Sequence, residues 1–148
     1  MSMKQLVAAV AAFVCLSGLS VTASADDHAY TEGPVVNVSR IRTVDGRFDD
    51  YLKYIGNVWK AEQEAGIKAG FVVSYQVLSV EARTLDDPDL LLVVTYKNWA
   101  ALDGALAKND AITKQVEGSL AASTAAQIDR AKIRTVLGST TMQVLQLK

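Results

Sequence analysis

The sequence predicts an α+β domain, with one four-stranded antiparallel sheet carrying its helices on a single face. Three observations lead there. Runs rich in β-branched residues recur at 35–43, 70–80, 90–96 and 135–147. Apolar residues at helical spacing fill the intervals after the first and the third of these runs. Turn-forming clusters, Asp45-Gly46 and Asp86-Asp87-Pro88-Asp89, separate the segments. The resulting order is β-α-β-β-α-α-β.

The first 25 residues stand apart from that domain. Lys4 gives a positive start, residues 6–19 are almost unbroken apolar, and Ala23-Ser24-Ala25 puts small residues at both positions that signal peptidase inspects. The apolar part is too short to span a bilayer and runs at once into Asp26-Asp27. Residues 1–25 therefore read as a signal peptide cut between Ala25 and Asp26, and the mature protein as periplasmic or secreted. Residues 26–34 are polar, end in Gly33-Pro34, and are expected to form a flexible mature N-terminus ahead of a single domain over 35–148.

Strand one carries Val35, Val36, Val38 and Ile41. After Asp45-Gly46, the residues Phe48, Leu52, Ile55 and Trp59 mark one face of a helix, widened by Tyr51 and Val58. Asp49 and Asp50 suit its first turn, where the helix dipole favours anions. Gly66 is expected to end it as a left-handed cap, with Ile67 folding back on the last turn. Strand two holds Phe71, Val72, Val73, Tyr75, Val77 and Leu78, and strand three runs from Leu90 to Tyr96. Asn98 suits the N-cap of a helix carrying Trp99, Leu102, Leu106, Ile112 and Val116. Gly104 inside that helix costs about 1 kcal/mol against alanine, so the helix is expected to be irregular there. Gly118-Ser119 ends it and caps an alanine-rich helix from 120 to about 133. The last strand covers 135–147, with Gly138 marking a bulge. Right-handed crossovers in both β-α-β halves make this a ferredoxin-like plait.

The strands themselves add a further expectation. A sheet with one wet face alternates polar and apolar residues, and Leu90-Leu91-Leu92-Val93-Val94 and Phe71-Val72-Val73 do not. Both faces of the central strands read as buried, while the chain supplies helices for one. A second copy packed sheet to sheet covers the other, giving a homodimer related by two-fold symmetry.

Composition excludes several classes of function. Cys15 is the sole cysteine and lies inside the signal segment, so the mature chain has no disulfide, thiolate nucleophile or thiolate metal site. Of the 15 Lys and Arg residues one is Lys4, which leaves 14 against 16 Asp and Glu, a net charge of −2 on the mature chain. The charges are interspersed, which argues against nucleic acid as a partner. No mature segment is long and apolar enough to span a membrane. Gly-rich phosphate loops, Ser-His-Asp sets and HExxH motifs are all lacking.

Four segments carry a family resemblance: Val38-Ser39-Arg40-Ile41-Arg42 leading into Asp45-Gly46, Asn57-Val58-Trp59-Lys60, Val94-Thr95-Tyr96-Lys97-Asn98, and Ile133-Arg134-Thr135-Val136-Leu137-Gly138. With them the whole mature chain resembles the dimeric α+β-barrel superfamily, and within it small exported bacterial members to which no activity is assigned. The resemblance implies two plaits joined through their sheets. It leaves function open, because the superfamily includes cofactor-free oxygenases, haem-degrading enzymes and isomerases. Against the haem-degrading branch, the family's asparagine, tryptophan and histidine fall at Ser39, Leu106 and Val116, so no haem or other cofactor is expected.

The candidate ligand-binding residues are Ser39, Arg40, Trp59 and Tyr75. Trp59 shares a helical face with Leu52 and Ile55, which suits core packing or the wall of a cleft between helix and sheet. Tyr75 alternates with Phe71, Val73 and Val77 and reads as core, its hydroxyl needing a partner. Arg40 and Arg42 share a strand face with Val36 and Val38, either pairing with acids at the dimer seam or meeting an anionic ligand. His28 reads as a solvated residue near the mature N-terminus, and Asp86, Asp87 and Asp89 as turn residues, with no metal expected. The expected function is binding of a small apolar molecule or a non-catalytic role, with a cofactor-independent monooxygenase or isomerase on a small aromatic or polyketide-like compound as the alternative.

The signal reading has a direct test. The intact mass of the exported protein should correspond to a chain beginning at Asp26, and a mass retaining residues 1–25 would refute it.

Overall fold

The computed structural model describes residues 28–84 and 86–148, so residues 1–25 and the junction between Ala25 and Asp26 lie outside the described residues. Strands β1 (Tyr30–Thr43), β2 (Val72–Ser79), β3 (Leu90–Tyr96) and β4 (Arg134–Leu147) form one antiparallel sheet in the order β2-β3-β1-β4. β1 lies in the interior of the sheet. Its residues Val35 to Ile41 oppose Tyr96 to Leu90 on one side. On the other it is followed by β4 along its whole length, from Tyr30 opposite Leu147 to Thr43 opposite Arg134.

β1 therefore begins at Tyr30 and not at Val35. Tyr30, Thr31 and Glu32 pair with Leu147, Gln146 and Leu145, and a register shift between Glu32 and Val35 takes up Gly33-Pro34. A bulge is where a strand tolerates proline's missing N–H. Composition marked these residues as a flexible tail, whereas a β4 of 14 residues gives their backbone partners.

The first helical arm consists of α1 (Phe48–Tyr54), a π-helical turn (Ile55–Trp59) and α2 (Lys60–Lys68), joined without a break in right-handed backbone. Tyr51 and Ile55 are its most buried members, at 2% and 4% exposure, and they pack on Ile41, Leu90 and Leu92. Phe48, Leu52 and Trp59 flank that contact. The π turn holds one residue more than an α turn, so the buried stripe departs from a simple helical repeat.

α2 also runs past Gly66. The left-handed residue after this arm is Gly70, at φ 83°. Gly66 is buried inside the helix, where a Cβ would lie 2.7 Å from Val72 Cγ2 on β2. Close approach of helix to sheet, and not capping, is what requires glycine there.

In the second half, Asn98 caps a 3-10 turn (Trp99–Leu102) through Ala101 N–H at 3.1 Å. The chain then extends at Asp103, and Gly104 takes φ 67° before α3 (Ala105–Glu117) begins. The irregularity expected at Gly104 is thus a complete break. The Ser119 hydroxyl accepts from Ala122 N–H at 3.0 Å and starts α4 (Leu120–Arg130). β4 follows at Arg134, with a register shift across Leu137 and Gly138 where a bulge was expected. A further shift, between Val72 and Ser74, resets the alternation of β2 and leaves Val72 at 6% and Val73 at 56% exposure.

The acidic loop between β2 and β3 closes on its own backbone. The Asp87 carboxylate accepts from the N–H groups of Arg83 and Thr84 at 3.0 and 2.9 Å, and these bonds hold its pKa low. Asp89 accepts from Thr43 N–H at 3.0 Å and from the Thr43 hydroxyl. Arg42 ties the same loop to β1 by donating to the carbonyls of Thr84 and Asp87 at 3.0 and 2.7 Å.

The register divides the sheet into two faces. Val35, Asn37, Ser39, Ile41 and Thr43 point towards the helices, together with Leu90, Leu92 and Val94. Val36, Val38 and Arg40 point the other way, beside Leu91, Val93, Leu78 and Met142. On this second face Leu78 is 43% and Met142 44% exposed.

Gly66→Ala should destabilise the protein by on the order of 1 kcal/mol in urea unfolding. Alanine gains about 1 kcal/mol of helix propensity, but crowding a stiff, buried valine costs about 1–3 kcal/mol. Gly56→Ala, where a Cβ meets nothing within 4 Å, should instead raise stability. Equal effects from the two changes would contradict this account of Gly66.

Candidate functional site

Asn37 and Ser39 sit in the middle of β1 on the side facing the helices, between buried Val35 and Ile41. Their side chains are too short to fill the space beneath the helical layer, and a cavity of about 310 Å³ opens above them. Leu92, Val94 and Tyr96 extend its floor along β3. Trp59, Glu62 and Gln63 supply one wall from the first helical arm, and Asn109, Ile112 and Thr113 another from α3. Phe71 and Val72 complete the lining.

The polar floor is anchored across the sheet. Asn37 Nδ2 donates to Thr141 Oγ1 at 2.8 Å, and the hydroxyls of Ser39 and Ser139 lie 2.8 Å apart. These bonds to β4 fix both side chains while leaving each with unused hydrogen-bonding capacity. Trp59 ends the π turn, and Tyr75 meets it edge-on with ring centroids 5.4 Å apart. The Tyr75 hydroxyl donates to Glu64 Oε1 at 3.3 Å, so Tyr75 supports the tryptophan without itself lining the cavity. Glu62 and Gln63 follow Trp59 by three and four positions and so share its helical face.

Glu62 is the one acidic side chain of the lining, and it belongs to a charged group between the helices. Its carboxyl lies close enough to that of Glu117 on α3 to feel its negative charge. Glu117 in turn pairs with Arg130 of α4 at 3.5 Å, both side chains being under a tenth exposed. The Arg130 guanidinium lies 4.3 Å from the ring centroid of Tyr54, and its Nε is buried without a hydrogen-bond partner. Burial first, and then the negative charge of Glu117, push the Glu62 carboxyl up to about 7 against the pull of Arg130. Burial likewise pushes Tyr54 up to about 12.

Of the four candidate residues, the structure brings Ser39 and Trp59 to the cavity and sets Tyr75 one layer behind. Arg40 lies on the opposite face of the sheet, exposed, because its even position on β1 turns it away from Ser39. Tyr75 does not alternate with Val73 as the sequence suggested, since the β2 bulge intervenes. His28 stacks on Tyr30 with centroids 5.5 Å apart and is not among the residues that line the cavity. Leu106 is 79% exposed, and neither it nor Val116 lines the cavity. Among the described residues no group of three or more His, Cys, Asp or Glu is placed to hold a metal ion. Sequence reasoning missed Glu62, Gln63, Asn109 and Thr113. Glu62 carried a usable signal, a carboxylate three residues after a tryptophan on the inward face of a helix.

No known protein family matches the sequence, and no curated protein does. Among solved structures, a dimeric ferredoxin-like protein from an uncultured marine organism superposes with a TM-score of 0.50 at 9% identity, over 80% of this chain and 90% of that one. Protein SO0527 from Shewanella oneidensis gives 0.48 at 14% identity over 79% and 96%, and HapK from Hahella chejuensis 0.46 at 14% over 73% and 90%. At such identities the likeness is one of fold, and the fold is ferredoxin-like.

A carboxyl whose folded pKa exceeds its unfolded value keeps an extra proton in the folded state, so it opposes folding increasingly as pH rises between the two. For Glu62 that window runs from 4.5 to about 7. Stability to urea should therefore fall between about pH 5 and pH 8 by on the order of 2 kcal/mol, allowing for solvent screening of a half-open site. The slope should flatten in Glu62→Gln. An equal slope in that variant would remove Glu62 as its source.

Proposed function

We propose that this protein works after export as a homodimer, and that each protomer holds a small, largely apolar molecule in the cleft beside Trp59. The cleft itself carries the reading. Its volume of about 310 Å³ falls at the lower end of the range of about 300–1,000 Å³ typical of small-molecule sites. A plait with a purely structural role would fill the space over the middle of β1 with large apolar side chains. Here Asn37 and Ser39 occupy it, giving a chamber of mixed lining, in which apolar and aromatic side chains face anchored polar groups able to orient an occupant.

Pairing of two sheets is supported by the composition of the outer face. Val36, Val38, Leu91, Val93, Leu78 and Met142 form a contiguous apolar surface on the face without helices, and a contiguous apolar surface of this kind marks an interaction site. Burying it gains about 25 cal/mol per Å². A ferredoxin-like neighbour of this chain is itself dimeric. Export is supported by Lys4, the apolar run after it and Ala23-Ser24-Ala25.

Native mass spectrometry of protein purified from its own periplasm should show a dimer with retained small-molecule mass. Ser39→Phe should fill the cleft and abolish that mass while the dimer persists. Val93→Asp, on the outer face, should yield monomers by sedimentation, whereas an acid at a merely solvated site costs no more than about 0.5 kcal/mol. A wild type that sediments as a monodisperse monomer at micromolar concentration overturns the paired-sheet reading. A dimer that never carries a ligand, from any growth condition, overturns the cleft.

A further inference from the structure

Granted that the cleft holds a small molecule, we propose that its occupant is an organic cation, a compact amine with an apolar body, whose ammonium is received by Glu62. The first ground is a charge imbalance. Glu117 and Arg130 pair at 3.5 Å between α3 and α4, Glu62 on α2 lies within the reach of both charges, and the three carry two negative charges and one positive when fully ionised. A half-buried site does not sustain the surplus negative charge, so a second cation is needed. In the empty cleft that cation is a proton held on Glu62, and an ammonium entering the cleft takes its place.

The second ground is the lining. Glu62 is its only acidic side chain and it contains no Lys, Arg or His, so nothing in the wall itself favours a carboxylate or phosphate. Trp59, Phe71 and Tyr96 add three aromatic rings, the surfaces that best solvate an organic cation. The other charged groups nearby are accounted for. Arg130 stands behind Glu117 and over Tyr54, outside the lining. The Lys108 ammonium lies 5.5 Å from the Phe71 centroid, also outside it, and donates to the carbonyl of Ala101 at 2.9 Å. Trp59 and Tyr96 are then the rings left to an occupant. Gln63, Asn109 and Thr113 can accept the remaining ammonium protons.

Three probes of one shape test this by titration calorimetry on the purified protein: 2-phenylethylamine, 2-phenylethanol and 3-phenylpropionate. The amine should bind at least about tenfold more tightly than the alcohol at pH 8, with the acid weakest. Its affinity should rise about tenfold per pH unit from pH 5 to 7 and then level off. Near pH 6 binding should release close to one proton, read from the dependence of the heat on buffer ionisation enthalpy. Glu62→Gln resembles the protonated side chain in shape and should still bind the alcohol, while losing both the amine preference and the proton release. Alcohol binding as tight as amine binding, or an amine preference that survives Glu62→Gln, overturns the cation and leaves the ligand site standing. Failure of all three probes to bind folded wild type overturns both.

Discussion

The structure depends on a reversal of polarity along one strand. β1 lies in the interior of the sheet, and its alternation assigns each residue to one of two environments. In an ordinary plait the middle of this strand points apolar residues at the helices and polar ones at water. Here Asn37 and Ser39 face the helices while Val36 and Val38 face away. Val35 and Ile41, at 0% and 2% exposure, restore normal packing at either end. A strand of this kind leaves a hollow under the helices and an apolar patch on the reverse, so cleft and outer face have one origin.

Other features adapt the helical layer to that hollow. Gly66 lets α2 approach β2 closely at one end, where Val72 fills the space a side chain would take. The π turn carries the first helical arm from its buried contact at Ile55 to Trp59 on the cleft wall. The pair of Glu117 and Arg130 ties α3 to α4, with Glu62 of α2 inside the same electrostatic environment. Removing the arginine alone would leave two buried carboxyls facing each other, which makes it the costliest member to lose.

Much of this was legible in the sequence because local chemistry agreed with the final arrangement. The four β-branched runs became the four strands, Asn98 and Ser119 cap the segments they precede, and the apolar residues of β3 alternate between Leu90, Leu92 and Val94, buried under the helices, and Leu91 and Val93 on the other face. What was hidden depended on partners distant in the chain. Tyr30 to Glu32 look like tail until β4 lies beside them, and Gly66 looks like a cap until Val72 packs against it. At the site, Trp59 and Ser39 stood out as single residues. Glu62 did not, since its character comes from Glu117, 55 positions later, and from Arg130 beyond that.

The pairing of β1 with β4 also governs how the molecule is assembled. Side-chain bonds across that pair join residues 100 to 115 positions apart, such as Ser39 with Ser139 and Thr31 with Gln146. Of the described elements β1 is synthesised first, yet one of its edges has no partner until Arg134 to Leu147 has been made. Closing so large a loop forfeits chain entropy before any contact repays it, and topologies of high contact order fold slowly for that reason. The nascent chain therefore stays open through most of its synthesis, with the backbone edge of β1 that faces β4 unpaired.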